Sequence, residues 1–397
     1  MSPPLARLAA LTSHFRPDVG CGDGALRGLG TAGATEVQLR LAIIGTGGWA
    51  LNGYIHLSRR ADVLVVAVVD PHEKRRVYAQ ELFGGSQGFA SLEDFLASGL
   101  QADAAVISSP HVTHFELAAK AIKAGMHVLV EKPMTTDAGE ARALLESARS
   151  AGRVMLVNNT ANYQLQCQEA ARAVEGGSLG RVEHVACHMA GDQLDLLGGR
   201  LGRQATSTWA DPMRSGGFGW GQLSHILAWV FRVSGLVPQE VFCLQGLSPT
   251  GVDYYSATSL RCASGATISI SGAATLPSQM MKQGKQIDVR MFGSEGCLTY
   301  CGRDADPASG ELVIERRDGT RKVTPGGFIF EECTRPPDSQ GWTAVSEQFP
   351  ASLANFVDAC LGRPFFDGAS GDVGLRVVQT IEAMYRSAKS GKAERVV

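Results

Sequence analysis

Lys132 is the residue of this chain best placed to do chemistry. It sits in Val130-Glu131-Lys132-Pro133-Met134, which closes an apolar run from His127 to Val130 with the texture of a buried parallel strand. A carboxylate and an ammonium where such a strand stops lie at the carboxyl edge of a sheet, the place where open α/β sheets bind ligands. An ammonium there can orient hydroxyl groups and stabilise a developing oxyanion. An isolated Glu-Lys pair after a strand is more often a solvated surface pair, so the surroundings decide. Lys132-Pro133 is also a candidate cis peptide.

The surroundings contain a dinucleotide fingerprint in register. Leu39 to Ile44 is an apolar strand, Gly45-Thr46-Gly47-Gly48-Trp49-Ala50 is a GxGxxA turn, and Leu51, Tyr54, Ile55 and Leu57 carry a helical pattern. Gly45 permits the tight turn, Gly47 lets a pyrophosphate approach the backbone, and Ala50 lets helix and strand pack closely. The N–H groups at the helix start would face the phosphates. A second strand, Val63 to Val69, ends in Asp70, about 25 residues past Gly45 and near the spacing of a carboxylate that binds the adenosine ribose. That carboxylate favours NAD over NADP as the cofactor. Hydride transfer between nicotinamide and a carbinol carbon then needs a base for the hydroxyl proton, a cation or donor near the oxygen, and a carbon held close to the ring.

Those residues need a scaffold, and the pattern supplies one. At 397 residues two domains are expected. Residues 1–36 lack sustained periodicity and read as a disordered extension. From 37 to 158, strands at Leu39 to Ile44, Val63 to Val69, Ala104 to Ser108, His127 to Val130 and Val154 to Val157 alternate with helical stretches. Such alternation specifies a Rossmann-type, doubly wound parallel sheet. From 159 to 397 the texture becomes α+β, with long β patterns between Val182 and Arg316 separated by turns such as Ser264-Gly265 and Asp318-Gly319. Helical patterns at Ala344 to Leu361 and Gly371 to Ser390 are expected to pack back on the first domain.

Composition narrows the partners. The formal charge is -2 with no basic cluster, which argues against nucleic acid or an anionic membrane. No apolar segment approaches the roughly 18 residues that cross a bilayer. The nine cysteines form no CxxC pair, as in a reducing, cytoplasmic setting. His184 and His188 share one face of a strand but stand too far apart to chelate a metal alone, so no metal is expected.

The chain resembles the glucose-fructose oxidoreductase/inositol dehydrogenase (Gfo/Idh/MocA) family. The resemblance rests on the glycine turn, Asp70-Pro71, Ser108-Ser109-Pro110 with His114, the stretch Ala124-Gly125-Met126-His127-Val128-Leu129-Val130-Glu131-Lys132-Pro133, and Gly177-Ser178-Leu179-Gly180-Arg181-Val182. It implies a Rossmann domain followed by an open-faced, mostly antiparallel sheet, with a nicotinamide nucleotide between them. It also implies a homo-oligomer, dimer or tetramer, formed through the C-terminal sheet. Cofactor contacts are expected from Gly45, Thr46, Gly47, Gly48, Trp49, Asp70, Ser108, Ser109, Pro110, His114, Glu131 and Lys132.

His225 is the best candidate for the base. In similar enzymes a glycine-rich turn is followed by an aspartate and, one helical turn later, a histidine; here the aspartate position is Gly221. Asp192, Asp195 or Asp211 could supply a carboxylate from the long polar loop, and without one the histidine should titrate near about 6.5, or lower if desolvated. Asn162, Tyr163, Trp209, Asp211, Gln222 and His225 are expected to contact a small polyhydroxylated substrate. The expected function is NAD-dependent hydride transfer at a hydroxyl or keto carbon of a sugar, sugar derivative or cyclitol, catalysed by Lys132 and His225. The alternatives are a redox-assisted glycosidase that retains NAD, and a non-catalytic nucleotide-binding sensor.

Overall fold

Five runs dominated by Val, Ile, Leu and Ala lack polar alternation, and each becomes a parallel strand covered on both faces. In the computed structural model the described residues are 38–47, 50, 54, 57, 60–198, 208–274, 285–303, 306, 308–326 and 351–397. The expected 1–36 extension, Gly48 and Trp49 lie outside them. The strands are β1 (Leu39–Ile44), β2 (Val63–Val69), β4 (Ala104–Ile107), β5 (His127–Glu131) and β6 (Met155–Asn158), with a short edge strand β3 (Gln87–Phe89) that the sequence does not announce. Their order is β3-β2-β1-β4-β5-β6, all parallel. Strand order reverses between β1 and β4, which opens a crevice at their carboxyl ends.

Beyond helix Leu165–Glu175 the chain builds a nine-stranded sheet. It comprises β7 (Val182–Ala190), β8 (Pro238–Leu247), β9 (Asp253–Cys262), β10 (Thr267–Ala273), β11 (Gln286–Gly293), β12 (Gly296–Arg303), β13 (Glu311–Arg316), β14 (Arg321–Thr324) and β15 (Glu394–Arg395). The order is β14-β13-β12-β11-β7-β10-β9-β8-β15, antiparallel except where β10 runs parallel to β7. Strand β9 alternates buried and exposed residues almost without fault, so one face is core and the other is open. His184 and His188 stand on the open face and bond Thr267 and Ser271 at 2.9 and 2.8 Å. Among the described residues no group of His, Cys, Asp and Glu could hold a metal, no disulfide forms, and no helix is long and apolar enough to cross a membrane.

The helix Gly371–Ser390 links the two sheets. At one end Gly371 and Gly374 let it lie on Leu145, Met155, Val157 and Met134, and the Glu382 carboxylate accepts from the Ala138 N–H at 2.8 Å. At the other, the Ser387 hydroxyl accepts from the Cys243 N–H at 3.0 Å. The described part of the preceding helix is Ala351–Cys360, shorter than the expected Ala344 to Leu361 because residues 327–350 lie outside the described set. Its Leu353, Phe356 and Val357 cover the β1 face that carries Leu39, Leu41 and Ile43.

Candidate active site

The glycine turn after β1 is shaped for close approach on both sides. Gly45 has φ +91°, and a Cβ there would come within 2.6 Å of the Ser108 carbonyl carbon, so only glycine fits beneath the loop after β4. A Cβ on Gly47 would meet nothing within 4 Å, which leaves open space where a pyrophosphate would approach. The Thr46 side chain is fully buried and its Oγ1 has no partner. These features fit a dinucleotide, with Gly45, Thr46, Gly47, Ser108, Ser109 and Pro110 around its phosphates.

Asp70 is 4 % exposed, and its carboxylate accepts from the Thr46 N–H at 2.9 Å and the His72 N–H at 2.8 Å. Each oxygen keeps a lone pair for a ribose hydroxyl. Arg76 donates to the Asp70 carbonyl at 2.7 Å, a cation that the sequence reading passed over.

Two of the expected cofactor contacts have protein partners of their own. Glu131 is 6 % exposed; its carboxylate accepts from the Tyr54 hydroxyl and from Asn158 Nδ2 at 2.7 Å, which ties the ends of β5 and β6 together. His114 is fully buried, with Nδ1 2.8 Å from the Pro133 carbonyl and Nε2 2.8 Å from the Ser109 carbonyl. Burial holds its imidazole below the ordinary range, although both carbonyls favour the charged ring. Both residues brace the loops that carry Lys132 and Ser109, because buried polar groups must spend their hydrogen bonds inside.

Lys132 stands on the cis Lys132-Pro133 peptide at the end of β5. Its Nζ donates to the Gly221 carbonyl at 2.9 Å and lies 5.1 Å from the centre of the Trp209 ring. Gly221 sits in a π-helical turn, Gly219–Leu223, that runs directly into the helix Ser224–Ser234. Such wide turns recur at functional sites. The turn is braced by Asp253, a carboxylate the sequence reading missed: it accepts from the Gly219 N–H at 2.8 Å and from the Tyr385 hydroxyl.

His225 lies one turn beyond Gly221 and is 3 % exposed. Burial first, then the positive charges of Lys132 and Lys285, hold its imidazole well below the ordinary histidine range, so it is neutral and able to accept a proton. Beside it Gln222 is 2 % exposed with an Oε1 that has no partner. His111, also missed, lies on the other wall: its ring meets Trp209 edge-on at 5.9 Å, and burial pushes its pKa down to about 3. The sequence did hold a signal for it, as a second histidine directly after Ser108-Ser109-Pro110.

The remaining expected substrate contacts separate into two groups. Trp209 and Gln222 join Lys132 and His225. Asn162 and Tyr163 are 0 and 1 % exposed; Asn162 Nδ2 donates to the Gly368 carbonyl at 2.8 Å, while Asn162 Oδ1 and the Tyr163 hydroxyl, like Gln222 Oε1, have no protein hydrogen-bond partner. Tyr163 packs into the main core, which pushes its phenol well above the ordinary range. Asp211 caps the turn Pro212–Arg214 through the Met213 N–H at 2.9 Å and faces Arg214.

Comparison with known proteins agrees with this geometry. Residues 39–159 match the family model for the GFO/IDH/MocA oxidoreductase family, NAD-binding Rossmann fold, and residues 167–299 match the GFO/IDH/MocA C-terminal domain. D-glucoside 3-dehydrogenase of Escherichia coli K12 is 30 % identical over 151 residues, 37 % of this chain and 42 % of that protein. Inositol 2-dehydrogenase of Leifsonia xyli is 38 % identical over 115 residues, 28 % of this chain and 33 % of that protein. The chain thus spans less than half the length of these curated relatives. The WlbA dehydrogenase of Bordetella pertussis, solved with NADH and UDP-GlcNAcA, shares the fold with a TM-score of 0.68 at 20 % identity, covering 91 % of this chain and 99 % of that one. With both family models matched in sequence order, the chain belongs to the GFO/IDH/MocA oxidoreductase family.

Proposed function

We propose that the chain is an NAD-dependent oxidoreductase that moves hydride between nicotinamide and a hydroxyl or keto carbon of a sugar, sugar derivative or cyclitol. The observation that carries this reading is the convergence of a cation and a neutral imidazole on one turn: Lys132 holds the Gly221 carbonyl, and His225 follows one helical turn later with its pKa depressed. The bound nicotinamide supplies the hydride acceptor. Lys132 stabilises negative charge on the reacting oxygen, and His225 takes the hydroxyl proton. Gln222 offers an amide oxygen with no protein partner to a substrate hydroxyl, and the Trp209 face suits the C–H face of a polyhydroxylated ring.

Asp70 supports NAD over NADP, since a buried carboxylate accepts from ribose hydroxyls and repels a 2′-phosphate. Arg76, bonded to the Asp70 carbonyl, would favour the phosphate, so Kd values for both cofactors decide the preference. The decisive assay incubates the full chain with NAD and a panel of cyclitols, aldoses and glycosides while following NADH and product. Net NADH with a keto product supports the proposal. Glycoside cleavage without net NADH would replace it with the redox-assisted glycosidase, and cofactor binding without turnover of any substrate with the sensor.

A further inference from the structure

Position 221 carries no side chain, and the space beside it is filled. A Cβ built on Gly221 would lie 2.6 Å from Cε3 and 2.8 Å from Cη2 of Trp209. The indole is not there by accident of a loose loop. The Trp209 carbonyl accepts from the Gly217 N–H at 2.9 Å, and a Cβ on Gly216 would come within 2.7 Å of the Trp209 carbonyl carbon, so the backbone is clamped against the glycine-rich turn. The ring edge is held by His111 at 5.9 Å. Lys132 Nζ then sits 5.1 Å from the ring centre, within cation–π range, while its proton goes to the Gly221 carbonyl.

We propose that Trp209 is the positioning residue for Lys132: its indole takes the side-chain space of position 221 and carries the ammonium on its face, where a carboxylate would otherwise hold it. The proposal rests on the reading that Lys132 serves hydride transfer, but its geometry can be tested without turnover. An indole orients a cation without neutralising it. Position 221 supplies no carboxylate to raise the pKa of His225. It also explains why glycine stands at 221: any side chain there must expel the ring.

The test is a two-residue cycle of Trp209→Leu and Gly221→Ala, with Trp209→Phe as the conservative variant. Contacts of this class shift equilibria about 2- to 30-fold, so Trp209→Leu should lower kcat about 10-fold with a smaller change in KM, while Trp209→Phe keeps most of it. Gly221→Ala should cost as much as Trp209→Leu alone and add little in the Trp209→Leu background, because the ring it displaces is already gone. NAD affinity should be unchanged throughout, which separates misplacement of Lys132 from misfolding. Independently of turnover, reductive 13C-methylation should give a Lys132 methyl resonance shifted upfield by the indole, assigned by its absence in Lys132→Met. That shift should vanish in Trp209→Leu. Equal and additive costs for Gly221→Ala in both backgrounds, or an unmoved Lys132 resonance, would overturn the proposal. A wild-type chain that oxidises no substrate while the resonance moves as stated would overturn the functional reading and leave the positioning intact.

Discussion

At the scale of single residues, the site is set by charge removed from water. His225 has lost its solvent and faces Lys132 and Lys285, so its protonation lies well below the ordinary range near about 6.5. The oxidative rate should therefore stay flat as pH falls through 6.5 and fail only at more acidic pH; a limb centred at or above the ordinary value in a kcat profile would refute the environment described. Much of this was legible in the sequence, because Lys132 announces itself after an apolar strand and His225 sits behind a glycine-rich stretch. The consequence of Gly221 was not legible. Only the fold shows the Trp209 ring in the path of any side chain there. His111 and Asp253 were missed for a related reason: each matters through a neighbour distant in sequence, Trp209 for His111 and Gly219 for Asp253.

At the scale of elements, strand ends carry the chemistry and hydrogen bonds between them fix its aim. Glu131 at the end of β5 reaches Tyr54 and Asn158, which joins Tyr54, β5 and β6 beside Lys132. Glu131→Gln keeps the shape and can leave Oε1 on Tyr54 and Asn158, but it puts an NH2 group where Oε2 accepts from the Lys132 N–H. It should destabilise the fold by about 1–3 kcal/mol, read from the urea midpoint, and lower turnover through Lys132. Unchanged stability would mean that the contacts are incidental. The parallel strands were legible because covered strands read as unbroken apolar runs. The short edge strands β3, β14 and β15 were not, since a few residues at a sheet edge bury too little to leave a pattern. The burial of Tyr163 was not legible because an aromatic near a cleft and an aromatic in a core look alike in sequence.

For the whole molecule, two buried histidines and the half-buried His111, all neutral, make folding sensitive to acid. His111, His114 and His225 all have folded pKa values below that of the unfolded chain, so unfolding takes up protons as pH falls below about 6.5. Stability is complete above that range and should decline at up to about 1.4 kcal/mol per pH unit for each histidine below it, partly offset by buried Asp253, whose raised pKa acts in the opposite sense. A urea midpoint unchanged between pH 7 and 5 would contradict this. The open sheet face carries Phe242, Leu244, Tyr255 and Phe292 at 40, 58, 53 and 44 % exposure. The family resemblance implies assembly through that face; on that expectation Leu244→Lys should weaken self-association in sedimentation velocity, and a monomeric wild type would contradict it. The central claim, that Lys132 and His225 act on the reacting oxygen, is tested most directly by turnover and NAD affinity measured together in Lys132→Met and His225→Ala. The account predicts NADH formation reduced by about 10²-fold or more, with the Kd for NAD within a few fold of the parent chain. Near-normal turnover in either variant would contradict it.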